Sequence, residues 1–163
     1  MSAFLDAARE FLTHRRLAVV GLSHDHPNPG NYIYRKLRAA GYEVFPVHPS
    51  ASTLEGDRGY ATLAAIPGGV DGVIITTHPA VSASIVSECA ALGIDRVWLH
   101  RSVGAGSISA EAVALSESRG IALLDGGCPL MVLEPDVVHR CMRWVLDARG
   151  RLPDGSRYAA AGV

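Results

Sequence analysis

Lysine is almost missing from this chain: Lys36 is the only one, and arginine supplies the rest of the 15 basic residues against 16 acidic ones. The resulting net charge of −1 removes the electrostatic footprint that nucleic acid or an anionic membrane surface requires. Cysteine is also scarce. Cys89, Cys128 and Cys141 stand far apart with no CxxC pair, which excludes a disulfide framework and the usual zinc spacings and fits a reducing cytosol. No apolar run approaches the roughly 18 residues of a membrane helix. The segment from Met1 to Glu10 carries Asp6 and Glu10 where a leader would be basic and then apolar, so no signal peptide is expected and the expected location is cytoplasmic.

What is present is an ordinary globular composition, 48% hydrophobic and 19% charged over 163 residues, enough for one domain with its own core. The chain is organised around Leu17 to Asn31. There an apolar strand, Leu17 to Val20, runs through Gly21, Ser23 and a Pro-rich loop into a helix expected from about Tyr32 to Ala40. A strand turning through glycine into a helix offers backbone N–H groups and the positive end of the helix dipole, a geometry that favours phosphate. The same stretch also reads as the first βα unit of any α/β domain.

Around it a unit recurs. A helix ends in small residues, a glycine follows, and an apolar strand begins at once: at Gly41 before Val44 to Val47, at Gly93 before Val97 to Leu99, and at Gly120 before Ile121 to Leu124. A further strand covers Gly72 to Thr76 after a helical turn near Ala61 to Ala65, and helices are expected over Ala80 to Leu92 and about Ile108 to Arg119, started by Pro79 and Ser109. Ser2 to His14 reads as a lead-in amphipathic helix with Ser2 as N-cap. Five apolar strands alternating with helices predict an α/β fold with a doubly wound five-stranded parallel sheet in three αβα layers. The core spans 16–129 and the single domain 1–150. A terminal helix over about 136–148 carries an apolar stripe of Val137, Val138, Cys141, Val145 and Leu146, and 151–163 is expected to be a flexible tail.

In open parallel sheets ligands bind outside the carboxyl ends of the strands. That edge collects Gly21, Ser23, His24, His26 and Asn31 after the first strand, and Val47, His48, Pro49 and Ser50 at the end of the second. Thr76, His78 and Pro79 follow the third, His100, Arg101 and Ser102 the fourth, and Asp125 and Cys128 the fifth. Histidines so clustered can donate to phosphates and stack on bases, or hold a transition metal through His24 and His26 with His48 or His78. No HExxH-type spacing fixes two metal ligands on one element, and no metal site is assigned. A dinucleotide site needs GxGxxG and an acid after the second strand. Both are missing, which speaks against NAD(P). Cys128 beside Pro129 reads either as a packed small hydrophobe or as a nucleophile. No serine elbow or P-loop is present, and no catalytic residue is assigned.

The segments Val19-Val20-Gly21-Leu22-Ser23, Gly41 to Pro49, Leu54-Glu55-Gly56, Val70 to Val73, Gly93 to His100 and Asp125 to Pro129, in this order, resemble the small stand-alone CoA-binding domain proteins. That family is similar to the nucleotide-binding domain of succinyl-CoA synthetase alpha subunits. The resemblance covers about Arg16 to Pro129 and implies a Rossmann-like, cytoplasmic protein that binds coenzyme A or an acyl-CoA without catalysis. It implies that Gly21 to Ser23 meet the CoA phosphates, that Val47 to Ser50 lie near the adenosine, and that Thr76 to Pro79 line the adenine or pantetheine side. Where His48 and Ser50 stand, the family often has asparagine and then lysine, so Arg101 or Arg35 is expected to supply the cationic contacts. The alternatives are an NAD(P)-dependent oxidoreductase, or an interaction module that has lost its nucleotide. A homodimer or a partner protein would use the terminal helices.

Overall fold

The computed structural model describes residues 3–162. β1 (Arg16–Val20) and β2 (Glu43–Val47) are followed by a hairpin of two-residue strands, β3 (Thr53–Leu54) and β4 (Asp57–Arg58), and then by β5 (Gly72–Ile75), β6 (Arg96–Leu99) and β7 (Ala122–Asp125). The long strands form one parallel sheet in the order β2-β1-β5-β6-β7.

These strands read as continuous apolar runs because both faces are covered. Leu17, Val19, Ile74, Trp98 and Leu124 point into one core, and Ala18, Val20, Val73, Ile75, Val97 and Leu123 into the other. The first face is covered by α1 (Ala3–Phe11) and α2 (Pro29–Ala39), the second by α3 (Pro79–Ala91) and α4 (Ala110–Ser118), and α5 (Val137–Ala148) and α6 (Ser156–Ala160) return to the first. The predicted three-layer, doubly wound Rossmann-like sheet is therefore the observed fold. Trp98 anchors the first core. It is fully buried between Phe4 and Phe11, whose rings meet it edge-on at 6.1 and 5.4 Å, and its indole N–H donates to the Gly126 carbonyl at 2.8 Å.

Gly41, Gly93 and Gly120 all take positive φ, as the helix-to-strand turns require. Ser109 caps α4 as expected, its hydroxyl accepting from the Ala112 N–H; the Ser2 cap lies outside the described residues. α2 starts three residues earlier than Tyr32, because Asn28 and Asn31 form a reciprocal capping box around Pro29.

Two expectations at the C-terminal end are corrected. The inward face of α5 is formed by the partly buried His139, Met142, Arg143 and Leu146, while Val137 and Val138 of the expected stripe are each 65% exposed. Arg143 reaches the core side because its guanidinium donates to the Met131 carbonyl at 3.0 Å. The expected flexible tail carries α6, whose Tyr158 is 2% exposed and packs on the first core. No helix among the described residues is long and apolar enough to cross a membrane.

Candidate functional site

From β1 the chain moves outward to β2, then crosses back over β1 to β5 on its other side. The loops after β1 and β5 therefore diverge, and this switch point is where open α/β sheets form their ligand crevice. Gly21 (φ +105°) leaves β1 so close to the β5 loop that a Cβ there would lie 2.9 Å from backbone and side-chain atoms of Thr76 and Thr77. Gly30, in the first turn of α2, is tighter still: its Cβ would stand 2.4 Å from Thr76 Oγ1. Both glycines thus let the α2 N-terminus settle against the end of β5. Thr76 holds this position by donating from its hydroxyl to the Val20 carbonyl at 2.8 Å.

The β1–α2 loop is braced from inside. Asn31 is 2% exposed. Its Oδ1 accepts from the N–H groups of Ser23 and Asn28 at 3.0 and 3.1 Å, and its Nδ2 donates to the Ser23 carbonyl at 2.8 Å and to Glu55 at 2.6 Å. Ser23 Oγ accepts from the N–H groups of Asp25 and His26 at 3.3 and 3.2 Å. Asn28 donates to the Gly21 carbonyl at 2.8 Å. The β3–β4 hairpin delivers Glu55, which also pairs with Arg35 at 2.5 and 3.0 Å. The Arg35 guanidinium, helped by Asn31, holds the Glu55 carboxyl below the usual carboxylate range. Arg35, expected to contact ligand phosphate, is thereby engaged by a carboxylate that sequence spacing did not reveal.

The other rim residues gather around this loop or stand apart. The His24 and His48 rings meet edge-on at 5.7 Å, which joins the β1 and β2 loops. His48 Nδ1 accepts from the N–H groups of Ser50 and Ala51 at 3.2 and 3.1 Å, and Pro49 and Ser50 are exposed. The Val47 side chain, 4% exposed, belongs to the second core. His78 caps α3, its Nδ1 accepting from the Ala80 N–H at 3.3 Å, and Pro79 is the first helical residue. Thr77 Oγ1 is buried with no hydrogen-bond partner among the described residues. Arg101 donates its backbone N–H to the Gly127 carbonyl at 2.9 Å, and its residue lines a groove beside α5 with Arg149 and Arg151. Among the described residues, no three His, Cys, Asp or Glu side chains gather to hold a metal ion.

A cavity of about 600 Å³ lies between α2 and α5 on the first face, with Pro29, Tyr32, His100, Cys128, His139 and Met142 in its wall. Cys128 is 3% exposed and burial pushes its thiol up to about 12, so it is a packed, protonated sulfur at neutral pH. His139 and Met142 were missed as site residues. Their i, i+3 spacing on the terminal helix is the one signal that could have found them.

A three-layer parallel α/β sheet with a glycine-turned helix N-terminus at its switch point defines a Rossmann-like protein, a class whose ligand crevices form at that point. Within that class, the chain belongs to the CoA binding domain family, whose model matches residues 15–134. It is 30% identical over 88 residues to the alpha subunit of the ADP-forming acetate–CoA ligase II of Pyrococcus furiosus, a match covering 53% of this chain and 19% of that subunit. The chain therefore spans only a fraction of that relative. It is 24% identical over 114 residues to the Bacillus subtilis protein YneT, covering 70% of this chain and 82% of YneT. Among solved structures, cell-free ID.343 from Thermus thermophilus aligns with a TM-score of 0.68 and 28% identity over 80% of this chain and 96% of that one. A hypothetical protein from Pyrococcus horikoshii OT3, with a TM-score of 0.73 and 24% identity over 80% of this chain and 89% of its own, shares the fold.

Proposed function

We propose that this protein binds coenzyme A or an acyl-CoA at the carboxyl edge of its sheet and does not turn it over. The observation that carries the reading is the α2 N-terminus, capped by Asn28 and pressed through Gly30 against Thr76 at the switch point, in a chain of the CoA binding domain family. In this reading Gly21, Ser23 and His24, held by Asn31, present the loop to the phosphates. His48, Pro49 and Ser50 flank the adenosine, with Val47 contributing backbone. Thr76, His78 and Pro79 line the pantetheine side, and Arg101 supplies a cationic contact from its groove. The buried, protonated Cys128 thiol supports binding without nucleophilic chemistry. The solvent-facing Val137, Val138 and Trp144 of α5 offer a face to a second copy or a partner protein.

Titration calorimetry of the full chain with CoA, dephospho-CoA and NAD tests the reading. Micromolar CoA binding, weakened when the 3′-phosphate is removed, is the expected result. Tighter binding of NAD would replace the proposal with an oxidoreductase, and silence from all three ligands would replace it with an interaction module.

A further inference from the structure

His100 is 6% exposed, lies in the wall of the α2–α5 cavity, and receives no hydrogen bond on its ring from any described residue. Its ring nitrogens have no protein partner and are not sealed off as Thr77 Oγ1 is, so they are open to a ligand group in the cavity. Burial lowers its pKa to about 4, so at neutral pH the ring is uncharged, with one N–H to donate and one nitrogen to accept. Such a donor in an apolar wall suits a neutral carbonyl better than a phosphate or carboxylate.

The charged residues around the cavity point the same way, because each already has a partner. Arg35 is taken by Glu55 at 2.5 Å, Lys36 faces Glu134 at 3.8 Å, and Asp136 meets His139 at 2.8 Å. What remains for a ligand is His100, Ser102 and the apolar surfaces of Tyr32, Leu130 and Met142. The cavity also continues the proposed site past its pantetheine side, since His100 follows β6, the strand paired with β5. Its volume of about 600 Å³ is that of a small-molecule pocket.

We propose that this cavity receives the acyl end of an acyl-CoA, with the thioester carbonyl accepting a hydrogen bond from His100 and an uncharged aliphatic chain packed on Leu130 and Met142. The protein then selects uncharged acyl-CoAs over free CoA and over acyl groups ending in a carboxylate. The inference rests on the CoA reading above and adds to it the class of thioester.

The test is calorimetric titration of the full chain with CoA and with acetyl-, butyryl-, hexanoyl- and succinyl-CoA. Each methylene buried should tighten binding about fourfold, so butyryl-CoA should exceed acetyl-CoA by roughly an order of magnitude, while succinyl-CoA gains nothing. S-butyl-CoA, a thioether without the carbonyl, should bind about two- to tenfold more weakly than butyryl-CoA, and His100→Phe should abolish that difference. Ala39 is an exposed wall residue, so Ala39→Trp should keep the parent's thermal midpoint yet remove the dependence on chain length. CoA and all its thioesters binding equally well would overturn the acyl cavity and leave the CoA reading standing. No binding of CoA or of any thioester would overturn the CoA reading itself, and the cavity assignment with it.

Discussion

Asn31 grips Ser23 by both of its backbone groups, accepting from its N–H at 3.0 Å and donating to its carbonyl at 2.8 Å. One buried side-chain amide thus does for the β1–α2 loop what a neighbouring strand does in a sheet. Replacing it takes away the hydrogen bonds of the Ser23 N–H and carbonyl and the Asn28 N–H. Asn31→Ala should cost about 1–3 kcal/mol, as the part-buried N–H groups of Ser23 and Asn28 and the Ser23 carbonyl lose their hydrogen bonds, and should weaken CoA binding at least tenfold. Asn31→Asp should be no better at neutral pH, because the lost donor leaves a carboxylate facing the Ser23 carbonyl and Glu55. Urea midpoints and calorimetry measure both effects; parent-like values for Asn31→Ala would mean that the loop is not held this way.

Gly30 and Thr76 should be energetically coupled. Gly30 sits in the first turn of α2, where alanine would ordinarily be favoured by up to about 1 kcal/mol, yet its Cβ would stand 2.4 Å from Thr76 Oγ1. Gly30→Ala alone should therefore destabilise by about 1–3 kcal/mol, the usual cost of overpacking, since Thr76 must leave the Val20 carbonyl. In a Thr76→Ala background the same change should lose most of that cost. A double-mutant cycle from denaturant melts reads the coupling directly, and additive effects would refute the contact.

His100 should make folding stability depend on pH in a window whose upper part, between about pH 6.5 and 5, lies above that of the carboxylates. Its folded pKa is lowered from 6.5 to about 4, so as pH falls the unfolded chain takes up the proton first. The stabilising contribution is complete above about pH 6.5 and is lost as pH drops toward 4, on the order of 3 kcal/mol in all. Glu55 and Asp57, held below their ordinary values chiefly by Arg35 and Tyr34 respectively, begin to lose their contributions only as the pH falls into the ordinary carboxylate range, and the loss is complete below it. Urea midpoints at pH 7, 6 and 5 should decline for the parent and stay nearly level for His100→Phe. A parallel decline in both would assign the slope to other groups.

The sheet was readable because its central strands had to be apolar on both faces and α2, α3 and α4 each end at a glycine, Gly41, Gly93 and Gly120. Leu17 and Ala18, or Ile74 and Ile75, face opposite cores, so no polar alternation could mislead. The rim was readable for the same reason, as the residues after each strand have one place to go. Glu55 was not, because the hairpin that brings it to Asn31 consists of two-residue strands with no periodicity. Nor was the inner face of α5. Arg143 and His139 turn inward there through their own hydrogen bonds, at 3.0 Å to Met131 and 2.8 Å to Asp136, while the apolar Val137 and Val138 face outward. Without that orientation the cavity against α2 could not be foreseen.

The segment beyond α5 reads as loose from its Gly- and Ala-rich composition, yet three of its residues hold it down. Gly155, at φ +74°, approaches α1 so closely that a Cβ would lie 2.8 Å from the Ala3 carbonyl oxygen. Arg157 reaches Asp125 at the end of β7 at 2.6 Å and Glu117 of α4 at 2.8 Å. Tyr158 inserts between them with its ring 6.5 Å from that of Phe11 and its hydroxyl donating to Glu10. Tyr158→Ala should cost about 3–5 kcal/mol, the usual penalty for deleting a buried aromatic. Tyr158→Phe keeps the packing and loses only a hydrogen bond to a carboxylate, about 1.5–3 kcal/mol. Denaturant melts that separate the two variants in this order would show that packing and hydrogen bond both contribute. Indistinguishable losses would place the whole effect in the Glu10 bond, and parent-like stability in both would restore the picture of a free tail.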